Sequence, residues 1–285
     1  MKNWHDIINH DVFRYIDHTN TKTINGELYT AITSFAIDDA LALSVSNRQS
    51  PPVMRLWVHP ETLVLGIPDA RLPYVEEGVH WLMNQGYHVI VRNSGGLAVP
   101  LDRGVLNLSL VVPDIKHISI HDCYEAMVDF VKYMLRDLTD EIEAYEVVGS
   151  YCPGEYDLSI NGKKFAGISQ RRVKDGAAVQ IYLDVFGDSQ RRASLVRDFY
   201  ILGKKEDETK FEYPDVDPTV VASLSTLIGI ELTMEEMKNR VRQTLENFST
   251  EVVSSGMYEL ERESFEKRLA QMHKRNKKVA AIQDK

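Results

Sequence analysis

Residues 156–168 have the sequence YDLSINGKKFAGI, and this stretch decides the fold class. Two short runs that alternate apolar and polar residues are joined by Asn161-Gly162, the dipeptide that most favours a two-residue type I′ turn. The stretch therefore predicts an antiparallel β-hairpin, and with it a protein in which antiparallel strand pairs contribute to a sheet.

Pairing across a two-residue turn fixes which side chains of the hairpin share a face. Lys164 should lie opposite Ser159 and on the same face as Asp157, whereas Leu158 should lie opposite Phe165 on an apolar face. The pattern leaves two interpretations of the polar face open. It is either a solvated surface with an Asp157–Lys164 ion pair, or a face that directs the lysine into a cleft.

The segments on both sides of the hairpin predict further strands and helices without the regular alternation of a doubly wound fold. The predicted strands are residues 55–58, 62–66, 88–92, 105–112 and 178–186. The predicted helices are residues 34–47, 73–85, 119–137 and 190–202, the first with Ser34 as its N-cap and two aspartates in its first turn. We therefore expect an α+β fold with a mixed β-sheet flanked by helices.

The character of the chain changes near its C-terminal end. Residues 233–236, TMEE, form a capping box, and the pattern after them is helical. We predict a larger domain over residues 1–215 and a helical C-terminal extension over residues 216–285 that packs on it.

Composition excludes several functional classes. The chain has 285 residues and a formal net charge of −9, which argues against nucleic acid or an anionic membrane surface as a partner. It has 2 cysteines without C-x-x-C spacing, too few for a disulfide framework, and the pair His117 and His121 lacks a third ligand, so we predict no metal site. No apolar run is long enough to cross a membrane and the first residues do not resemble a secretory signal, so we expect a cytoplasmic protein.

The better candidate for a nucleophile is Cys152, in the loop sequence GSYCPG of residues 149–154. Cys152 belongs to no apolar stripe, whereas Cys123 lies on the apolar face of a predicted helix and is expected to be a buried core residue. A cation lowers the pKa of a nearby thiol, and Lys164 could supply that charge if the loop folds back over the hairpin.

The second candidate element is RNSGGLAV, residues 92–99, which follows a predicted strand. Its paired glycines permit a ligand to approach the backbone closely. The sequence matches neither a dinucleotide fingerprint nor a P-loop nor a hydrolase nucleophile elbow. On its own, such a loop is more often a simple turn than a binding site.

Four ordered motifs together resemble the catalytic domain shared by biotin protein ligases, lipoate-protein ligases and octanoyltransferases, over about residues 30–200. They are RLW at 55–57, RNSGGLAV at 92–99, DRGVLNLSL at 102–110 and NGKKFAGISQ at 161–170. The resemblance implies that Lys164 faces the acyl group and that the loop after Arg92 lines the acyl pocket. It implies substrate-binding roles for Arg92, Ser94, Gly95, Gly96, Ala98, Asn107, Ala166 and Gly167. The backbone N–H groups of the last two are candidate oxyanion donors.

Within this family the chain is most similar to the lipoyl amidotransferases, because Cys152 precedes the hairpin, Leu97 replaces a third glycine, and a helical extension follows. The similarity implies transfer of an octanoyl group from the lysine amide of the glycine cleavage H protein to lipoyl domains of 2-oxoacid dehydrogenase complexes. It implies a thioester on Cys152 with Lys164 stabilising the thiolate, and no cofactor. Three alternatives stay open: an octanoyl-acyl-carrier-protein transferase, an ATP-dependent lipoate ligase, and a non-enzymatic module that binds lipoyl domains.

Overall fold

A computed structural model describes residues 7–24 and 26–284. Its main feature is a mixed sheet with the strand order β13-β1-β4-β8-β12-β11-β10-β9, in which β13, β1 and β4 are parallel and every later pair is antiparallel. The strands are β1 (Val12–His18), β4 (Val53–Trp57), β8 (Val105–Val112), β9 (Glu143–Ala144), β10 (Leu158–Ile160), β11 (Lys163–Val173), β12 (Gly176–Asp184) and β13 (Glu251–Ser254).

A smaller sheet has the order β6-β5-β7, and β2 pairs with β3 in a short hairpin. These strands are β2 (Thr23–Ile24), β3 (Glu27–Leu28), β5 (Thr62–Leu65), β6 (His88–Val91) and β7 (Val99–Leu101). The sequence predicted β4 and β5 as two strands joined by a turn, and the structure places them in different sheets. The sequence analysis did not predict β7, which contains Pro100. A proline has no N–H to donate to a neighbouring strand, and it is tolerated at the edge of a sheet.

Helices cover both faces of the main sheet, so the predicted α+β class with a mixed, helix-flanked sheet is confirmed. They are α1 (Ala31–Ser46), α2 (Val75–Asn84), α3 (Ile120–Leu135), α4 (Ser189–Lys204), α5 (Leu224–Ile228), α6 (Met234–Phe248) and α7 (Glu259–Gln283). One apolar core joins α3, α6 and the hairpin to one face, and a second joins α1, α2, α4, α7 and the smaller sheet to the other. No helix among the described residues is both long and apolar enough to span a bilayer.

Helix α1 begins earlier than predicted. Thr30 is its N-cap and forms a capping box with Thr33, so Ser34 lies inside the helix and its hydroxyl is buried. The acidic residues expected in the first turn therefore lie further along the helix. Asp38 is buried and forms an ion pair with Arg55 of β4 at 2.7 Å, which fixes the helix to the sheet rather than compensating a helix dipole.

The predicted hairpin is present, with one change of register. Asn161 and Gly162 have φ angles of 51° and 76°, as a type I′ turn requires. A β-bulge follows, because Leu158 pairs with Ala166 instead of with Phe165. The predicted pair of Leu158 and Phe165 is therefore wrong. A bulge adds one residue to one strand only, and here it leaves Phe165 buried in the core that contains α3.

The polar face of the hairpin is not solvated. Ser159 pairs with Lys164 as predicted, but both side chains are buried, and Lys164 is 1% exposed. The ion pair between Lys164 and Asp157 exists in the interior of the protein, with Nζ to Oδ1 at 2.9 Å. A buried face that carries a lysine requires partners for the ammonium group.

The C-terminal part contains a strand in addition to the predicted helices. The capping box at Thr233 is present and starts α6, but residues 251–254 form β13, which pairs in parallel with β1 at the edge of the main sheet. The two adjacent valines of this segment favour a strand. The division at residue 215 stays a prediction, although the sheet takes strands from both sides of it.

Candidate functional site

A cleft of about 220 Å³ opens where three elements meet: the glycine loop after β6, the loop before β10, and the facing parts of β11 and β12. It is lined by Arg92, Gly95, Gly96, Val99, Tyr124, Cys152, Pro153, Gly154, Glu155, Tyr156, Asp157, Gly167, Ile168, Ser169 and Tyr182. Both candidate elements of the sequence, the loop with Cys152 and the loop after Arg92, therefore meet at one cleft.

The sulfur of Cys152 receives two hydrogen bonds in this cleft. The backbone N–H of Leu97 donates to Sγ at 3.1 Å, and Arg92 Nη2 donates to Sγ at 3.4 Å. The same Nη2 donates to the Leu97 carbonyl at 2.8 Å, so the guanidinium also closes the glycine loop. The backbone N–H of Leu97 and the Arg92 guanidinium therefore fix the position of the sulfur in the cleft.

The Lys164 ammonium binds the backbone of the loop that carries Cys152. Nζ donates to the Tyr151 and Cys152 carbonyls, each at 2.9 Å, and to Ser150 Oγ at 3.3 Å. The hypothesis that Lys164 supplies positive charge to the thiol stays a prediction, and the cation that donates a hydrogen bond to the sulfur is Arg92. Lys164 instead holds the backbone of Cys152, whose φ of 47° is unusual for a residue with a side chain.

Asp157 completes the support of this loop. Its Oδ2 accepts hydrogen bonds from the backbone N–H groups of Gly154 at 3.2 Å and Val147 at 3.4 Å, while Oδ1 binds Lys164. Burial raises the pKa of Asp157, and the neighbouring Lys164 opposes that rise. The buried ion pair and its hydrogen bonds thus tie both ends of the Cys152 loop to β11.

The glycine loop is braced from its other side. The Ala98 N–H donates to the Tyr200 hydroxyl at 3.3 Å, and this hydroxyl donates to Asp69 Oδ1 at 3.1 Å. Asp69 Oδ2 accepts from the Gly66 N–H at 2.7 Å. Gly66 must lack a side chain, because a Cβ there would lie 2.0 Å from the carbonyl oxygen of Gly96. This brace fixes the segment that presents the Leu97 N–H to Cys152.

Asp69 gives the brace a pH-dependent stability. Burial raises the pKa of Asp69 from 3.8 to about 7, with hydrogen bonds from Gly66 and Tyr200 and the charge of Arg92 acting in the opposite direction. The unfolded chain therefore ionises Asp69 at lower pH than the folded protein. The resulting stabilisation is complete below about pH 4 and is lost as the pH rises to about 7.

Asp69→Asn should remove this dependence, because the amide stays neutral. Relative to the variant, the wild-type protein should lose about 2 kcal/mol of unfolding free energy between pH 5.5 and pH 8. Urea unfolding of both proteins at the two pH values measures the difference. Parallel pH profiles for the two proteins would contradict a raised pKa for Asp69.

A narrow inner cavity continues from the cleft into the second core. Its walls share Arg92, Val99, Gly167, Ser169 and Tyr182 with the cleft, and it extends to Phe35, Trp57, Val64, Leu101, Asn107, Gln180 and Ile181. Tyr182 lines both spaces and stacks on Tyr151 with ring centroids 5.7 Å apart. Gly167 makes room for this ring, since a Cβ there would lie 2.8 Å from Tyr182. The inner walls are mostly apolar, and the volume of about 30 Å³ is that of a small internal space.

The predicted site residues divide into three groups. Arg92, Gly95, Gly96, Cys152 and Gly167 line the cleft. Asn107 lines only the inner cavity, where its Nδ2 also donates to the Trp57 carbonyl at 3.3 Å. The rest are buried next to the cleft without lining it; these are Ser94, Ala98, Lys164 and Ala166.

Two further predictions concern Cys123 and metal binding. Cys123 is fully buried in α3 and burial raises the pKa of its thiol, so the structure places it in the core as predicted. Within residues 7–24 and 26–284, His, Cys, Asp and Glu side chains do not form a group of three that could hold a metal ion. His121 Nδ1 instead lies 3.0 Å from the Tyr156 hydroxyl.

Sequence reasoning missed the residues that join the two loops. They are the Leu97 N–H, the brace of Asp69 and Tyr200, and the aromatic walls Tyr124, Tyr156 and Tyr182. The pairing of Gly167 with Tyr182 on neighbouring strands was the one available signal, because it places a bulky ring beside a residue without a side chain.

Comparison with known proteins gives the family. Residues 30–246 match the lipoyl protein ligase A/B catalytic domain, and the chain belongs to this family. A protein of Oceanobacillus iheyensis named octanoyl-[GcvH]:protein N-octanoyltransferase is 59% identical over 276 residues, 97% of this chain and 99% of that protein. A protein of the same name from Geobacillus kaustophilus is 50% identical, covering 95% of both chains. In Listeria monocytogenes, a protein named lipoyl-[GcvH]:protein N-lipoyltransferase is 47% identical over 96% of this chain and 97% of its own.

Solved structures show the same fold at lower identity. A lipoate-protein ligase A bound with ATP superposes with a TM-score of 0.68 at 17% identity, covering 91% of this chain and 94% of the other. A putative lipoate protein ligase of T. acidophilum with bound lipoic acid gives a TM-score of 0.65 at 17% identity, with the same coverage.

Proposed function

We propose that this protein is a cytoplasmic acyltransferase that moves an octanoyl or lipoyl group from a lysine amide of GcvH, the glycine cleavage H protein, to lysines of lipoyl domains. The names of relatives that are similar over nearly the whole chain support GcvH as the donor. The observation that carries the chemistry is the Cys152 sulfur in the cleft, bound by the Leu97 N–H and by Arg92. The lipoyl domains of 2-oxoacid dehydrogenase complexes are the proposed acceptors.

In the first step, the Cys152 thiolate attacks the acyl carbonyl of the donor amide. A C–S bond forms and the carbonyl electrons move to an oxyanion. The backbone N–H of Gly167 is its proposed donor, because Gly167 lines the cleft and Ala166 does not. The C–N bond then breaks, the donor lysine leaves as an amine after taking up a proton from the solvent, and the acyl group remains as a thioester.

In the second step, the neutral amine of an acceptor lysine attacks the thioester carbonyl. The C–S bond breaks, the thiolate is restored, and the proton of the attacking amine is released. Reactant and product are both lysine amides, so the overall exchange needs no ATP. The thioester is higher in energy than either amide, so it accumulates only when the donor is in excess.

The other candidate residues hold the two loops of the cleft in place. Lys164 and Asp157 hold the Cys152 loop, and Arg92 holds both the sulfur and the glycine loop. Gly95 lets the acyl group approach the backbone, Gly96 makes room for Arg92 and the Cys152 sulfur, and Gly167 makes room for Tyr182. Asn107 lines the inner cavity. Ser94 and Ala98 shape the glycine loop from its buried side.

The test is intact-protein mass spectrometry of octanoylated GcvH mixed with an apo lipoyl domain and this protein, without ATP. We expect the octanoyl mass to move from GcvH to the lipoyl domain. Modification only from octanoyl-acyl-carrier protein would replace the donor. Modification only with free octanoate, ATP and Mg²⁺ would show a ligase and contradict the proposal.

A further inference from the structure

Two amide side chains of helix α7 cover the outer edge of strand β6. On the inner side, the His88 N–H donates to the Glu61 carbonyl at 3.0 Å and the Arg92 N–H to the Leu65 carbonyl at 2.9 Å. The alternate residues Val89 and Val91 therefore direct their backbone groups away from β5, at the edge of the smaller sheet. Such an edge needs other partners for its N–H and C=O groups.

Asn276 and Gln283, one above the other on α7, supply these partners. Asn276 Oδ1 accepts from the Val91 N–H at 2.6 Å, and its Nδ2 donates to the Val91 carbonyl at 3.0 Å. Gln283 repeats the arrangement on Val89, with both distances 2.9 Å. A carboxamide has one acceptor and two donor hydrogens, so it can replace the peptide group of a missing strand. Asn276 is 3% exposed, and its second donor binds the Met272 carbonyl of its own helix at 2.9 Å.

The two amide contacts lie at different distances along the chain from Arg92. Val91 immediately precedes Arg92, whose guanidinium reaches the Cys152 sulfur, whereas Val89 lies nearer the start of the strand. The position of the Arg92 side chain depends on where the backbone of β6 ends. A shift of that backbone by about 1 Å would carry a contact of 3.4 Å out of hydrogen-bonding range.

We propose that Asn276 is a positioning residue for the reaction, which fixes the backbone of Val91 and thereby holds Arg92 against the Cys152 sulfur. Asn276 lies beyond residues 30–246, the part of the chain that matches the family model. The proposal rests on the proposed function in one respect, the role of Cys152 as nucleophile. Its experiment measures the thiol directly and needs no acyl group.

The experiment compares the rates at which iodoacetamide alkylates Cys152 at pH 7 and at pH 9.5. All proteins carry Cys123→Ala, so that Cys152 is the one thiol that can react. Asn276→Leu should slow alkylation about tenfold at pH 7, because the Arg92 guanidinium is no longer held at the Cys152 sulfur. At pH 9.5 most thiols are ionised even without a neighbouring cation, so the alkylation rate should differ little between the variant and the wild type. Arg92→Gln should give the same change in the ratio of the two rates.

Gln283→Leu is the matched control. It removes the same kind of amide contact from the same strand, so it should lower the melting temperature comparably while leaving the ratio of alkylation rates unchanged. If Asn276→Leu does not fold, Asn276→Asp keeps an acceptor for the Val91 N–H, loses the donor to the Val91 carbonyl, and should change the ratio in the same direction.

Three outcomes would overturn the proposal. The ratio could stay unchanged in the Asn276 variant, it could change equally in the Gln283 variant, or both rates could fall together, which would mean altered access to the thiol. A wild-type protein that fails to transfer octanoyl groups would overturn the proposed function and not this result, so the two failures are distinguishable.

Discussion

Cys152→Ala should lower the rate of octanoyl transfer by about 10³-fold or more, since removal of the nucleophile in enzymes with covalent intermediates abolishes the main route. The cleft and the support of the loop should survive, because the contacts of Lys164 to this loop reach backbone carbonyls and a serine hydroxyl instead of the Cys152 sulfur. The measurement is the initial rate of octanoyl transfer from GcvH to a lipoyl domain.

Cys123→Ala is the matched control for this variant. It also removes one thiol, but from the interior of α3, where Cys123 is fully buried. Its transfer rate should stay within about twofold of the wild type, since the contacts that define the cleft are untouched, although the small cavity should cost some stability. Substantial activity in Cys152→Ala, or equal losses in both variants, would contradict the role of Cys152.

Lys164→Met should destabilise the protein by about 3–5 kcal/mol, because it leaves the buried Asp157 carboxylate without its cation. It should also lower transfer about a hundredfold, since the carbonyls of Tyr151 and Cys152 lose the donor that holds the loop, and small misplacements of a reacting group have effects of this size. Urea unfolding and initial transfer rates measure the two effects separately.

The double variant Lys164→Met with Asp157→Asn separates stability from positioning. A neutral amide at position 157 needs no cation and can still accept the hydrogen bonds from Gly154 and Val147. At least half of the lost stability should return, while transfer should stay low because the two carbonyls are still unbound. Recovery of activity along with stability would show that Lys164 serves the fold alone.

The sequence predicted the parts of the site that have local signals. The Asn-Gly turn defined the hairpin and put Lys164 opposite Ser159, and the paired glycines after Arg92 marked a loop that a ligand can approach. Cys152 stood out because it belongs to no apolar stripe of the sequence. Each of these inferences depends on residues that are close in sequence, where turn chemistry and side-chain alternation decide the structure.

The contacts that make the site depend on distant residues and could not be predicted. Leu97 and Arg92 lie 55 and 60 residues before Cys152, and no periodicity or spacing relates them to its sulfur. The bulge at Phe165 and the strand β13 arise from packing of whole elements, because a strand of four residues at the sheet edge is decided by its neighbours. The sequence therefore indicates a cation for the sulfur only in Lys164, which side-chain alternation places on the polar face of the hairpin, and it gives no sign that Arg92 also reaches the sulfur.

The central claim is a thioester on Cys152, and the most direct measurement is to trap it. The protein is mixed with excess octanoylated GcvH without acceptor or ATP, then analysed by intact mass and by peptide mapping. We expect an octanoyl adduct on the peptide that contains Cys152, released by neutral hydroxylamine and discharged when an apo lipoyl domain is added. Transfer that proceeds at full rate in Cys152→Ala, or an adduct that hydroxylamine does not release, would contradict the claim.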